Sequence, residues 1–145
     1  MPYHRMTEDQ VHAFLTADPA RPAILATVSE DGRPHVAPIW YAVDHDGTIV
    51  FTTGETTVKG RNLRRATWAA LSVDDDAAPF SFVTVAGPVR ISEDLDDIRH
   101  WAGVIGGRYM GADRAEEYGT RNGVPGELLV RLTSQKVVSA ADVAS

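Results

Sequence analysis

The stretch AILATVSEDGRPHVAPIWYAV, residues 23–43, places two runs of strand-forming residues either side of a turn. AILATV, 23–28, has the apolar and β-branched content of a buried strand. SEDGRP, 29–34, carries Asp31-Gly32, a hairpin signal because glycine takes the positive φ that a tight turn requires. HVAPIWYAV then returns as a second strand. Pro38 within it offers no N–H to a ladder, so this segment is expected to bulge or to lie at an edge, as beside a cleft in an incompletely closed barrel.

Reading outward, DHDG at 44–47 turns the chain into TIVFTT, so three strands are expected as an antiparallel meander. WAALSV, 68–73, and FSFVTVAGPVRI, 80–91, read as a fourth and a fifth strand, and ELLVRLTSQKVVSA, 127–140, as the last. Thr7 and Gln10 form a capping box ahead of Val11, Phe14 and Leu15, which predicts a first helix running to about Asp18-Pro19. Leu95, Ile98, Trp101, Ala102 and Ile105 predict another helix from about Asp94, weakened by glycines at 103, 106 and 107, with a short helical piece at 111–120. Six strands joined mostly by hairpins, with helices at the ends and in one long crossover, exclude a doubly wound parallel sheet. The expectation is a mainly β (α+β) fold, a single domain over residues 1–145 built as a six-stranded antiparallel barrel with peripheral helices.

A length of 145 residues with 43% hydrophobic and 23% charged content reads as globular and able to bury a core. The sequence has no apolar run able to span a bilayer, and MPYHRMTEDQVH lacks the basic-then-apolar order of a signal peptide, so a cytoplasmic location without membrane association is expected. The absence of cysteine removes disulfides and thiolate chemistry. A formal net charge of −6 makes a poor general nucleic-acid surface.

Against that acidic background, GETTVKGRNLRR, residues 54–65, holds Lys59, Arg61, Arg64 and Arg65, four of the chain's 14 basic residues. It leaves a strand end carrying Thr52, Thr53, Thr56 and Thr57 and enters a helical turn. Hydroxyls, free N–H groups at a helix start and one or two cations together suit a phosphate. Gly60 would let the backbone approach, and Asn62 would either fix the loop or bind the ligand. Arg64 and Arg65 read better as solvated charge. GETTVKG is not a P-loop, since Lys59-Gly60 reverses the required order and no βαβ unit follows. The histidines at 4, 12, 35, 45 and 100 have no metal-ligand spacing, so no metal is expected, and there is no GxSxG elbow.

The order ATVSEDGRPHVAPIWY, VFTTGETTVKGRNLRR, FSFVTVAG resembles the split β-barrel flavin and deazaflavin oxidoreductases related to pyridoxamine phosphate oxidase. The resemblance implies a homodimer with the cofactor in the groove between subunits. Where the pyridoxamine phosphate oxidases carry cationic contacts to flavin mononucleotide (FMN), this sequence has Ala37, Ala42 and Val58. The pattern T-x-K-x-R-N-L-R-R is instead similar to the branch that uses the deazaflavin coenzyme F420. By that resemblance Lys59, Gly60, Arg61 and Asn62, with Thr52 and Thr57, hold the cofactor phosphate. Ile39, Trp40 and Tyr41 lie against the ring, and Phe80 and Ser81 of the other subunit complete the groove. The implied activity is hydride transfer between F420 and a small organic acceptor, with Tyr41 or His35 as candidate proton donors. The alternatives are an FMN-binding oxidoreductase of the same fold, a protein that binds or stores F420 without turnover, and a binder of haem or a small anion.

Overall fold

A computed structural model describes residues 4–144. Helix α1 (Glu8–Leu15) starts at the expected capping box, with the Gln10 N–H donating to Thr7 Oγ1 and the Thr7 N–H to Gln10 Oε1. Strands β1 (Ala23–Val28) and β2 (Pro34–Ile39) form the expected hairpin, in which Gly32 takes φ 86° and donates its N–H to the Ser29 carbonyl. β3 (Ala42–Val43) and β4 (Ile49–Gly54) repeat the device with Gly47, also at φ 86°. Helix α2 (Val58–Ala66) follows, then β5 (Trp68–Asp75), β6 (Ser81–Ser92), helix α3 (Leu95–Met110), a short 3-10 turn (Ala112–Arg114), helix α4 (Ala115–Asn122), β7 (Glu127–Leu132) and β8 (Lys136–Ala140).

The sheet is antiparallel and curls in the order β2-β1-β5-β6-β7-β4-β3, with β8 added to β6. Two of the predicted strands are therefore each divided, giving eight strands where six were expected. HVAPIWYAV breaks at Trp40-Tyr41 because β2 and β3 lie at opposite ends of the sheet, so this pair of residues carries the chain across the open side of the barrel. The expected three-strand meander is corrected for the same reason: β4 pairs with β3 and β7 and not with β2. Pro38 does lie on an edge strand, where its missing N–H costs no ladder bond.

The last predicted strand divides at residues 133–135, where the chain passes over β6 at Gly87. A Cβ on Gly87 would fall 1.7 Å from the Thr133 carbonyl oxygen, so only glycine allows this crossing. β6 consequently pairs with β7 through Val89–Ser92 and with β8 through Phe82–Ala86. Inside the curl, Leu25, Ile49, Phe51, Leu71, Val73, Val83, Val85, Leu128 and Val130 are buried in one cluster, each side chain contributing about 1.5–3 kcal/mol by leaving water. Leu63, fully buried in the same cluster, ties α2 to the barrel.

Helix α3 starts at Asp94, whose carboxylate accepts the N–H groups of Asp96 and Asp97, and runs unbroken through the glycines expected to weaken it. Their purpose is contact with α4. A Cβ on Gly103 would meet the Ala115 carbonyl oxygen at 3.0 Å, and one on Gly106 would meet Tyr118 Cβ at 2.3 Å. The backbone-to-backbone approach offsets the low helix propensity of glycine.

Candidate functional site

The start of α2 is built by threonines. Thr57 Oγ1 donates to the Gly54 carbonyl at 2.8 Å, accepts the Gly60 N–H at 3.0 Å, and lies 3.1 Å from Thr53 Oγ1. Its hydroxyl is thus committed to the helix cap. Gly60 is buried, and a Cβ there would lie 2.2 Å from the Gly54 carbonyl oxygen, so the glycine serves the close approach of α2 to the end of β4. Asn62 is buried too, its Nδ2 donating to Thr27 Oγ1 at 3.1 Å and facing Ser29 Oγ at 3.4 Å. Of the two roles open to it, fixing the loop is the one its contacts perform.

Lys59 and Arg61 emerge from this frame without an ion-pair partner within 4 Å among the described residues. Arg64 instead pairs with Glu93 at 3.0 Å and Glu55 at 3.9 Å, and Arg65 donates to the Val28 carbonyl. Glu127, at the start of β7 opposite Gly54, is a nearby acid that sequence spacing did not reveal. Burial pushes its carboxyl above the usual range, and the Lys59 charge acts in the opposite direction.

The crossing residues are pinned from α3. Arg108 donates one Nη to the Tyr41 carbonyl at 2.6 Å and the other to the Leu15 carbonyl at 2.7 Å. Tyr41 is fully buried, donates its phenol to the Leu15 carbonyl at 2.7 Å, and lies under the Arg108 guanidinium. Its side chain belongs to the core, the other place a strand aromatic takes, and does not line this cavity. Trp40 faces the other way, 41% exposed, and stacks on Tyr109 with centroids 4.9 Å apart and planes 3° from parallel.

Between the open edge of the barrel and the α3-α4 pair lies a cavity of about 370 Å³. Pro38, Ile39 and Trp40 form one wall, Thr52 and Lys59 a second, and Ala102, Ile105, Tyr118 and Asn122 a third. The volume is at the small end of the range for small-molecule sites, and its mix of apolar walls with few polar groups is typical of them. The sequence reading reached the first two walls and missed the third, whose residues come from the long crossover.

Arg61, Asn62, Gly60, Thr57 and Tyr41 do not line the cavity, nor do Phe80 and Ser81 of the same chain. Phe80 is exposed at φ 62°, and Ser81 Oγ accepts the Asp142 N–H at 3.2 Å. His35 stands on β2 with its Nδ1 buried and unpartnered. Among the described residues there is no cluster of side chains able to hold a metal ion, and no helix is long and apolar enough to cross a membrane.

A curled antiparallel half-barrel, open at one side, with a cationic helix start and a stacked tryptophan beside the opening, defines the split-barrel class of small-molecule binding folds. Within that class the chain belongs to the pyridoxamine 5'-phosphate oxidase family, whose profile matches residues 7–139. Among solved structures it is similar to a conserved hypothetical protein from Mycobacterium tuberculosis, at 25% identity and TM-score 0.81 over 94% of this chain and 86% of that one. An F420 reductase is also similar, at 25% identity and TM-score 0.68 over 87% and 94%. The haem storage protein of Vibrio cholerae shares the fold alone, at 18% identity and TM-score 0.69 over 91% and 94%. No protein of curated function matches the chain.

Proposed function

We propose that this chain binds the deazaflavin coenzyme F420 and transfers hydride between it and a small organic acceptor, as a homodimer. The observation that carries the proposal is Lys59: a cation with no ion-pair partner among the described residues, at the first turn of a helix, lining a cavity walled by Trp40 and Ile39. A lone amine beside uncommitted N–H groups at a helix start suits a phosphate, and Thr52 adds a hydroxyl. Arg61, exposed at the same turn, extends the positive field toward solvent. Thr57, Gly60 and Asn62 contribute by holding that turn in place.

The residues present fit a planar cofactor with a phosphate at one end. When bound, the deazaflavin supplies the hydride chemistry, and the protein supplies binding, orientation and exclusion of water. Lys59 would hold the phosphate, Pro38, Ile39 and Trp40 would support the ring, and Phe80 and Ser81 of a second copy would close the groove. Among the described residues Lys59 is the one cation lining the cavity, and Ala37, Ala42 and Val58 add none, which favours F420 over FMN in this reading. The F420 reductase among similar structures supports the same choice.

A second copy has a surface to meet. The outward residues of the β2-β1-β5 face include Val36, Ile24, Val28 and Trp68, between 43% and 63% exposed, interleaved with Ala26 and Ala70. An apolar sheet face of this kind is the expected mark of an interface.

Parallel fluorescence titrations with F420 and with FMN test the proposal. Tighter binding of F420 is expected, and tighter binding of FMN would overturn the choice of cofactor. A broad panel of acceptors that never oxidises bound, reduced cofactor would favour a storage protein instead.

A further inference from the structure

Tyr41 sits where the chain leaves one end of the sheet for the other, between β2 and β3, so its N–H and C=O have no strand beside them. Main-chain groups taken out of water need partners. Two consecutive residues in the last turn of α3 supply both. The Tyr41 N–H donates to Tyr109 Oη at 3.4 Å, and Arg108 donates to the Tyr41 carbonyl at 2.6 Å. The same two side chains reach the segment ahead of β1. Arg108 donates its other Nη to the Leu15 carbonyl and the Tyr109 phenol donates to the Arg21 carbonyl, each at 2.7 Å. Pro22, next after Arg21, and Trp40, next before Tyr41, both line the cavity, whereas Arg108 and Tyr109 do not. The end of α3 therefore stands in for a missing strand one residue behind the cavity wall.

Arg108 is the member of this pair with the more demanding chemistry. Its guanidinium is half-buried, 4.6 Å from the centre of the Tyr41 ring, and has no carboxylate within 4 Å among the described residues. A charge withdrawn from water without a counter-ion is costly unless dipoles hold it. Here two carbonyls do so, and that of Leu15 ends α1, where the helix dipole favours a cation. A planar fork donates in two fixed directions at once, which a lysine ammonium on its flexible stem does not reproduce.

We infer that Arg108 is a positioning residue for the ring-binding wall. By holding the Leu15 and Tyr41 carbonyls together, it ties the end of α1 to the crossing and sets that crossing so that Tyr41 turns into the core and Trp40 into the cavity. Arg108 acts through Trp40 and does not itself line the cavity. That the ring seated on this wall is F420 rests on the function proposed above; the control of Trp40 by Arg108 does not.

The test is 19F NMR of protein labelled with 5-fluorotryptophan. The chain has three tryptophans, Trp40, Trp68 and Trp101, so each gives its own resonance, and Trp40→Phe assigns that of Trp40. Arg108→Lys keeps the charge and gives up the fork, and Arg108→Met keeps the bulk and gives up both. Each variant is expected to move the Trp40 resonance, to leave those of Trp68 and Trp101 in place, and to raise the Kd for F420 roughly two- to tenfold, the worth of one aromatic contact. Guanidinium ion below denaturing concentration, added to Arg108→Ala, is expected to return the Trp40 resonance toward its wild-type position, and methylammonium is not. A Trp40 resonance at its wild-type position in either folded variant, or movement of all three resonances together, would overturn the inference. So would a displaced Trp40 with unchanged F420 affinity. Failure of wild type to bind F420, with Trp40 alone still displaced in the Arg108 variants, would remove the cofactor proposal and leave this one standing.

Discussion

Trp40 stacks on Tyr109 at 4.9 Å while Tyr109 itself donates its phenol to the Arg21 carbonyl at 2.7 Å, so α3 fixes the ring that faces the cavity. An aromatic pair of this kind contributes about 0.5–1.5 kcal/mol beyond its buried area. Tyr109→Leu is expected to leave the sheet intact by far-UV circular dichroism, to alter the near-UV band from Trp40, and to weaken F420 binding several-fold. Unchanged near-UV signal and unchanged affinity would show that the stack does not orient Trp40.

Lys59→Ala removes the one charged side chain lining the cavity among the described residues without touching the core. Loss of a charge-assisted phosphate bond costs about 1.5–3 kcal/mol, roughly a 10- to 100-fold rise in Kd for F420. The melting temperature of the free protein should stay within about a degree, since the side chain has no ion-pair partner within 4 Å among the described residues to lose. Undiminished affinity would take Lys59 out of the site.

Gly60→Ala tests the frame instead of the contact. With the new Cβ 2.2 Å from the Gly54 carbonyl oxygen, α2 must move away from β4, at a cost of about 1–3 kcal/mol. Both stability and F420 affinity should fall, in contrast to Lys59→Ala, where affinity alone falls. A fully stable Gly60→Ala protein would contradict the close approach.

Glu127 gives a pH-dependent test. Burial raises its carboxyl pKa in the folded chain, so folding favours the protonated form. Its stabilising contribution is complete below the ordinary glutamate range and is lost as pH rises through the raised value. Glu127→Gln should therefore melt higher than wild type at neutral pH, with the difference closing below about pH 4, the ordinary glutamate range. A difference in melting temperature that did not vary with pH would exclude this titration.

Val36→Glu places a charge on the apolar β2-β1-β5 face, where Val36 is 63% exposed. Light scattering should show a dimer for wild type and a monomer for the variant, with F420 binding lost alongside. A wild-type monomer that still binds F420 would separate the site from any partner.

Local signals in the sequence were read correctly where local chemistry decides structure. Asp31-Gly32, the Thr7-Gln10 capping box and Pro38 at an edge all follow from backbone geometry within a few residues. The divided strands were not visible, because Trp40-Tyr41 and residues 133–135 break their runs only when the curled sheet requires a crossing. Glycines 103, 106 and 107 lower helix propensity locally, and their use in a close crossing shows only once α4 lies against them, with Gly119 near the Arg99 carbonyl. Lys59 stands out through its neighbours in sequence, a basic cluster after a threonine-rich strand end. Tyr118 and Asn122 lie about 60 residues further along the chain and give no local sign of their shared cavity.

The sheet order also sets when the cavity can exist. Ile39 and Trp40 adjoin the β2 end of the sheet, and Thr52 stands on β4 near the other end. Although these segments are near neighbours in sequence, among the described residues the β3-β4 pair is joined to the rest of the sheet only through β7. During synthesis the hairpin of β3 and β4 thus has no strand to pair with beyond itself until residues 127–132 have emerged, and the sheet that sets the two walls closes only when nearly the whole chain is made. A ligand that bridges those walls would act on the final docking event, selecting finished chains and having nothing to grip on incomplete ones.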